Sequence, residues 1–423
     1  MISTHGGAGK APETEPGNDG ARGAAEEGAD SGPVFHVKHG ESGGADSSLT
    51  TPPALAHLTD ALAALRQSDL LRARHAPLDP TSVSFSSNDY LGLASTPLTG
   101  HTPRGAGASR LMAGERAAHG ELERALATWL GTEDALVFSS GYAANFGTVA
   151  ALARAGDVIV SDALNHASII DGCRLSRADA VIVPHLDRDA VARAIVAAGR
   201  RRVWVVVESY YGMDADSPDL RDLRGLCDDA GAALVVDEAH ALGVFGPDGR
   251  GRCAEEGVVP DVLIGTLGKS LGHCGAFVAG CRDLTTWLWN RARPFVFSTG
   301  ISPALAASAR RALAQSIAEP WRRRTVLSHA SQLREALGAL GVPVLGYGHI
   351  LPIVIGDPRA AVEAASALAA HGLHILAIRP PTVPPGTSRL RLTLTARHTE
   401  VHIENAIRAL SLVLASSPDE SKR

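Results

Sequence analysis

Lysine occurs four times in this chain of 423 residues, as Lys10, Lys38, Lys269 and Lys422, and only Lys269 lies away from the ends. It follows the apolar run DVLIGT in the order Thr266-Leu267-Gly268-Lys269. A lysine behind a buried strand loses hydration, which lowers its pKa and leaves a neutral amine able to attack a carbonyl. A solvated loop lysine is the ordinary alternative, disfavoured here because the chain otherwise writes its basic residues as arginine. Three more apolar runs end in reactive groups. AALVVD leads into Asp237-Glu238-Ala239-His240, DVIVS into Asp162-Ala163-Leu164-Asn165-His166, and ALVFSS into Ser140-Gly141-Tyr142 at a helix start. Asp237 alone would read as a cap or a salt-bridge partner. Paired with Lys269, it suits the pyridinium nitrogen of pyridoxal phosphate, whose electronics a buried carboxylate controls. The glycine opening a helix offers free N–H groups to a phosphate.

These ends need a scaffold that brings them to one edge. The runs at 135–140, 157–162, 180–185, 202–209, 232–240 and 261–269 are short and apolar, with helical stretches between the first five. That alternation predicts an α/β fold with a mostly parallel sheet covered on both faces, and such sheets bind ligands outside the carboxyl ends of their strands. Upstream, leucines at helical spacing in LAHLTDALAALRQSDLLRAR predict a helix that ends before Pro77. From Ser302 a long Ala/Arg-rich helix is expected, then strands at 349–356, 374–380 and 388–395 and helices at 359–371 and 399–415, a smaller α+β domain. Residues 1–50 are Gly, Ala, Glu and Asp without periodicity and read as a disordered head. The expected organisation is therefore a head (1–50), an N-terminal helix and segment (51–100), a large domain (101–301) and a small C-terminal domain (302–423).

Composition excludes several classes. A net charge of -5 leaves no basic footprint for nucleic acid. No apolar run is long enough to span a bilayer. The five cysteines are scattered without metal-ligand spacing, so no metal site is expected and the thiols read as reduced, in the cytoplasm. Gly105-Ala106-Gly107-Ala108-Ser109-Arg110 follows no strand and lacks a third glycine, so it is not a dinucleotide fingerprint.

From about Leu58 to Leu414 the chain resembles the α-oxoamine synthases, pyridoxal phosphate enzymes of the type I, aspartate-aminotransferase fold. The resemblance rests on SSNDYLGLA (86–94), ASRLMAGERAAHGELE (108–123), SSGYAANFG (139–147), DALNHASIIDG (162–172), VVDEAHALGVFGPDGRG (235–251), TLGKSLG (266–272) and AIRPPTVPPGTSRLRLTLTARH (377–398). The last segment points within the family to members that join L-alanine to a pimeloyl thioester carried on coenzyme A or an acyl carrier protein. By this resemblance Lys269 holds the cofactor as a Schiff base and moves the substrate Cα proton, and Asp237 binds the pyridine nitrogen. His240 matches the histidine bonded to the cofactor's phenolic oxygen, and His166 the one stacked on the ring. Gly141, Tyr142 and Thr266 match phosphate contacts. Ser298 and Thr299 match a pair reaching the cofactor of the neighbouring subunit, which implies a homodimer with shared sites. Arg391 matches the arginine that grips the amino-acid carboxylate, and Arg72, Asn88 and Thr382 match substrate-side positions.

Departures are also visible. Gly212 stands where the family usually has serine, so a cofactor contact is expected to be lost or taken over by Ser209, Tyr211 or water. Ala106 and Ala108 replace commoner glycine and serine. Other donor pairs within the family, such as glycine with acetyl-CoA or succinyl-CoA or serine with a long acyl chain, are the alternative reading. A non-catalytic scaffold is ranked last because Lys269 is present.

Overall fold

The computed structural model of the protein describes residues 57–72, 82–96 and 103–415; the expected head lies outside them. The chain divides into Met1–Thr59 and Asp60–Arg423. Of the first unit only the opening turn of a helix is described, and all three sheets among the described residues belong to the second.

After a two-residue strand, β1 (Val83–Ser84), come β2 (Asp134–Phe138), β3 (Val158–Asp162), β4 (Asp179–Val183), β5 (Val203–Glu208), β6 (Ala233–Asp237), β7 (Val262–Thr266) and β8 (Ala276–Gly280). The last seven form one sheet in the order β2-β8-β7-β6-β5-β3-β4. The six apolar runs are all strands, and β3 to β7 pair in parallel. One strand was not foreseen. β8, the short run AFVAG, lies antiparallel between β2 and β7 and carries little of the Val/Ile signal that marks the others. Its two neighbours hold it in place.

Alternation along the strands decides which chemistry points where. Val205, Val207, Leu234 and Val236 pack into the core under helices Arg188–Ala198 and Leu220–Ala230. Val206, Val235 and Ile264 face the opposite core, under helices Gly141–Leu152 and Ala167–Ser176. Glu208, Asp237 and Thr266, each two residues on, therefore share the face of the second helix pair. Asp162 follows Val160 onto the other face.

A second sheet holds β9 (Ile350–Gly356), β11 (Leu376–Ile378) and β12 (Ser388–Thr393) in the order β11-β12-β9, all antiparallel, while β10 (Leu373–His374) pairs in parallel with β1. Every residue of β12 is buried. Leu390 and Leu392 enter a core with Val326, Leu351 and Leu410, which sends Arg389 and Arg391 to the opposite face.

Two helices differ from expectation. The N-terminal helix, His57–Gln67, stops short of Arg74 because Ser68 Oγ bonds back to Ala64 O and Asp69 turns left-handed at φ 56°. The long helix after Ser302 is two, Pro303–Ala318 and Trp321–Ala339, divided at Pro320, which has no N–H to continue the ladder.

Candidate active site

Lys269 sits on the connection between β7 and β8. Leu267 N donates to Gly275 O at 2.9 Å, His273 N to Leu267 O at 2.8 Å and Gly272 N to Lys269 O at 2.9 Å, so the loop closes on itself. Gly272 has φ +67°, and a Cβ there would lie 2.4 Å from Ala94 N, so only glycine lets the loop lie against the 86–94 segment. Among the described residues the Lys269 amine has no hydrogen-bond or ion-pair partner. Burial pulls its pKa down to about 8, against the opposing charges of Asp237 and Glu208 and with help from Arg391.

Asp237, at the end of β6, is buried and doubly bonded: Asn145 Nδ2 donates to Oδ2 at 2.7 Å and Ala239 N to Oδ1 at 2.8 Å. Asn145 comes from the second turn of helix Gly141–Leu152, on the face that strand alternation assigned to Asp237. Its amide also reaches Ser168 Oγ at 3.0 Å, which lies 2.7 Å from His166 Nδ1. His166 caps helix Ala167–Ser176 by accepting Ser168 N at 3.2 Å through Nδ1. A neutral ring that accepts at Nδ1 carries its proton on Nε2. Loss of hydration lowers the His166 pKa, Lys269 adds to that, and Asp237 opposes it. Glu208 stands opposite Asp237 in the β5–β6 register and accepts His166 N at 2.8 Å. Burial, then the charge of Asp237, raises its carboxyl to about 8.

The sequence reading missed Asn145, Ser168 and Glu208. Glu208 ends the run RVWVVVES, so the strand-end rule could have found it. Asn145 and Ser168 lie inside helices, where only the three-dimensional path to Asp237 gives them meaning.

At the phosphate end, Ser140 Oγ caps the helix by accepting Ala143 N at 3.1 Å, which leaves the N–H groups of Gly141 and Tyr142 without partners inside the helix. A Cβ on Gly141 would approach nothing closer than Thr266 Oγ1, at 3.9 Å. The Tyr142 hydroxyl donates to Asp171, so only its backbone N–H is open to an anion here. Ser298 and Thr299 line a small recess with Ser139 and Arg110.

On the other wall, Arg391 Nε donates to Gly212 O at 2.5 Å, and Nη1 to Asn88 Oδ1 and Thr393 Oγ1, both at 3.2 Å. Its Nη2 is buried with no partner. His240 is buried and neutral: burial and then the cations Lys269 and Arg391 hold its pKa well below the usual histidine value. Its Nδ1 lies 2.7 Å from Tyr90 Oη. Its Nε2 is 2.2 Å from where a Cβ on residue 212 would be, so glycine at 212 makes room for the ring in this position. Ser209 and Tyr211 do not replace a serine at 212, since Ser209 Oγ donates to Glu238 at 2.7 Å and Tyr211 Oη to Asn165 at 3.3 Å. Arg72 and Thr382 meet, Nη2 to Oγ1 at 2.8 Å, on the exposed side of the 379–387 loop.

Pyridoxal phosphate fits these groups. The depressed amine of Lys269, the hydrogen-bonded buried carboxylate of Asp237 and the open N–H pair at Gly141 and Tyr142 match its aldehyde, ring nitrogen and phosphate. The unpartnered guanidinium nitrogen of Arg391 calls for an anion beside it.

The family model Aminotransferase class I and II matches residues 80–410. The chain is 45% identical over 352 residues to 8-amino-7-oxononanoate synthase of Anaeromyxobacter dehalogenans, covering 81% of this chain and 88% of that one. It is 44% identical over 358 residues to the protein of the same name from Mycolicibacterium smegmatis, covering 82% and 92%. Among solved structures, serine palmitoyltransferase from S. paucimobilis with a bound pyridoxal phosphate–myriocin adduct superposes with a TM-score of 0.79 at 27% identity, over 85% of this chain and 97% of that one. The 8-amino-7-oxononanoate synthase of Francisella tularensis shares the fold, with a TM-score of 0.68 at 22% identity over 80% and 99%. A depressed lysine, a buried carboxylate and an anion-ready helix start at one sheet edge, in a chain this similar to these relatives, place it in the pyridoxal-phosphate-dependent class I and II aminotransferase family, among the 8-amino-7-oxononanoate synthases.

Proposed function

We propose that the protein condenses L-alanine with a pimeloyl thioester, on coenzyme A or an acyl carrier protein, to give 8-amino-7-oxononanoate, carbon dioxide and the free thiol. The similarity to synthases of that name, 45% against 27% for the serine palmitoyltransferase, is the observation that carries this choice of substrates. The product places the reaction in biotin synthesis.

Pyridoxal phosphate, when bound, supplies an electron sink for the charge left at the substrate Cα. Arg391 receives the amino-acid carboxylate on its free Nη2, while the bonds of Nε and Nη1 to Gly212, Asn88 and Thr393 fix the plane of the guanidinium. That orientation turns the Cα–H toward Lys269. Lys269 would hold the cofactor through Nζ, and the same amine is the group that moves the proton at Cα. With a pKa of about 8, Nζ can then both accept the Cα proton and return one near neutral pH. Asp237 would take the ring nitrogen, its two carboxylate oxygens held in place by Asn145 Nδ2 and Ala239 N. His166, with its proton on Nε2, would lie against the cofactor ring. The new C–C bond joins Cα to the thioester carbonyl carbon as the thiolate leaves and takes a proton. The carboxylate carbon departs as carbon dioxide, and a proton replaces it at Cα.

The test is the mass of the product after incubation with L-alanine, glycine or L-serine and a panel of pimeloyl, acetyl, succinyl and palmitoyl thioesters. Alanine with the pimeloyl donor is expected to dominate, and Lys269→Ala to abolish turnover. Preferred use of serine with palmitoyl-CoA, or of glycine with a short donor, would overturn the proposal.

A further inference from the structure

Two arginines on one face of β12 reach the same turn of the main sheet. Arg391 Nε donates to Gly212 O at 2.5 Å, and Arg389 Nη1 donates to Met213 O at 2.8 Å and to Asp214 Oδ1 at 2.7 Å, so three consecutive residues are each bonded from the second sheet. The Arg389 side chain is 3% exposed and that of Asp214 20%. Asp214 is the one carboxylate that Arg389 meets among the described residues.

The turn is held from its own side as well. Ala215 N donates to Tyr211 O at 2.8 Å, Tyr211 N to Asp216 O at 2.9 Å, and the Asp216 carboxylate lies 3.1 Å from His185 Nε2. Ala215 is fully buried at φ 58°, a left-handed conformation that costs an alanine energy and persists where its surroundings over-determine it. Its carbonyl accepts Tyr347 N at 2.8 Å. The turn begins at Ser209, whose N–H donates to Asp237 O at 2.9 Å, and Gly212 stands only three positions further on.

The three acceptors of Arg391 come from different places. Thr393 shares its strand and Asn88 lies in the 86–94 segment, so Gly212 is the acceptor that ties the guanidinium to the sheet bearing Asp237 and Lys269. A planar guanidinium anchored at Nε has the direction of its Nη2 set by that anchor. The anchor is a backbone carbonyl, and a carbonyl is only as fixed as its turn. A buried ion pair adds little net stability over apolar residues of the same volume, so the pairing of Arg389 with Asp214 is better accounted for by the geometry it imposes.

We propose that Arg389 is a positioning residue for amino-acid binding: paired with Asp214, it holds the 212–214 turn against β12 and so aims Arg391 Nη2 at the substrate carboxylate. The inference rests on the reading of Arg391 as the carboxylate site, and not on which acyl donor is used. Its consequence is selective. Loosening the turn weakens the grip on a carboxylate and leaves the grip on an amine intact, because the amine is received at the lysine end of the site.

The experiment measures binding to the holoenzyme by calorimetry, without acyl donor, for L-alanine and for L-alaninamide, which keeps the amine and methyl and lacks the carboxylate. Arg389→Met preserves volume and removes the donors, while Asp214→Asn preserves shape and removes the charge. In both variants L-alanine is expected to bind roughly tenfold more weakly, with L-alaninamide unchanged. In an Arg391→Ala background, adding Asp214→Asn should weaken L-alanine no further, since the group being aimed is gone. Equal weakening of acid and amide would make the pair merely structural and overturn the inference, as would unchanged alanine binding or an undiminished effect in Arg391→Ala. Should Arg389→Met fail to fold, Asp214→Asn carries the same comparison. L-Serine and L-serinamide are run in parallel, so a different amino acid or acyl donor in the proposed reaction leaves this result readable.

Discussion

Asn145 shows how a helix interior can control a strand end. Its amide is bonded to Asp237 and Ser168 together, and its Oδ1 is buried without a partner. Replacing it by alanine removes a donor from a buried carboxylate, a loss of the order of 1–3 kcal/mol. Asn145→Ala is therefore expected to weaken retention of pyridoxal phosphate by roughly tenfold or more, read by absorbance after equilibrium dialysis. Asn145→Asp should be worse, since it replaces the donor with a second carboxylate facing Asp237. Retention unchanged in both would show that Asp237 serves the cofactor without this helix. Lys269 and Asp237 were legible in the sequence because each ends an apolar run. His240 was reached from the same strand end as Asp237, and Arg391 entered through a motif. Tyr90, Asn145, Ser168 and Glu208 were not singled out, because their meaning depends on contacts between segments far apart in the chain, such as the 150 positions between Tyr90 and His240.

At the scale of elements, His185 ties three pieces together. It follows β4, and its two ring nitrogens reach Asp162 at the end of β3 at 2.8 Å and Asp216 in the loop after β5 at 3.1 Å. Burial opposes a charge there, but the hydrogen bonds to the two aspartates outweigh it and push the imidazole up to about 10. A folded-state pKa above the unfolded value of about 6.5 means the stabilisation is complete below pH 6.5 and is lost as pH rises toward 10. His185→Gln should thus cost about 2 kcal/mol at pH 6, and the gap between variant and wild type in urea midpoint should narrow steadily up to pH 10. A gap independent of pH would assign the loss to packing against Tyr211 instead. Strands were the most readable elements, since β3, β5, β6 and β7 are buried on both faces and spell Val, Ile and Leu, and the edge strand β4, though largely exposed, carries the same Val/Ile signal. β8 was not, because pairing with two neighbours replaces composition as its source of order. The helix after Ser302 was read as one because alanine and arginine continue past Pro320 on the same theme.

At the scale of the molecule, a single chain leaves Phe297 and Met112 exposed, at 72% and 83%, beside the segment that carries Ser298 and Thr299. We propose that this surface meets a second copy and that Ser298 and Thr299 serve its site. Mixing Lys269→Ala with the double variant Ser298→Ala, Thr299→Ala then makes hybrid dimers in which one site regains every wild-type group. Random exchange yields about half hybrids, each with one intact site, so recovery should approach about a quarter of wild-type activity. No recovery after verified exchange, or a fully active monomer in solution, would refute a shared site. The sheet also bears on how such a protein diversifies. Because β8 returns antiparallel beside β7, the lysine rides on a short bracket pinned at both ends, while Arg391 and the 379–387 loop belong to another sheet. A residue inserted between Leu267 and Gly275 would break the bracket's closure, whereas the 379–387 loop keeps one exposed side free to vary. Descendants of this sequence can therefore explore new acyl donors by indels in that loop, with the amine's address held constant.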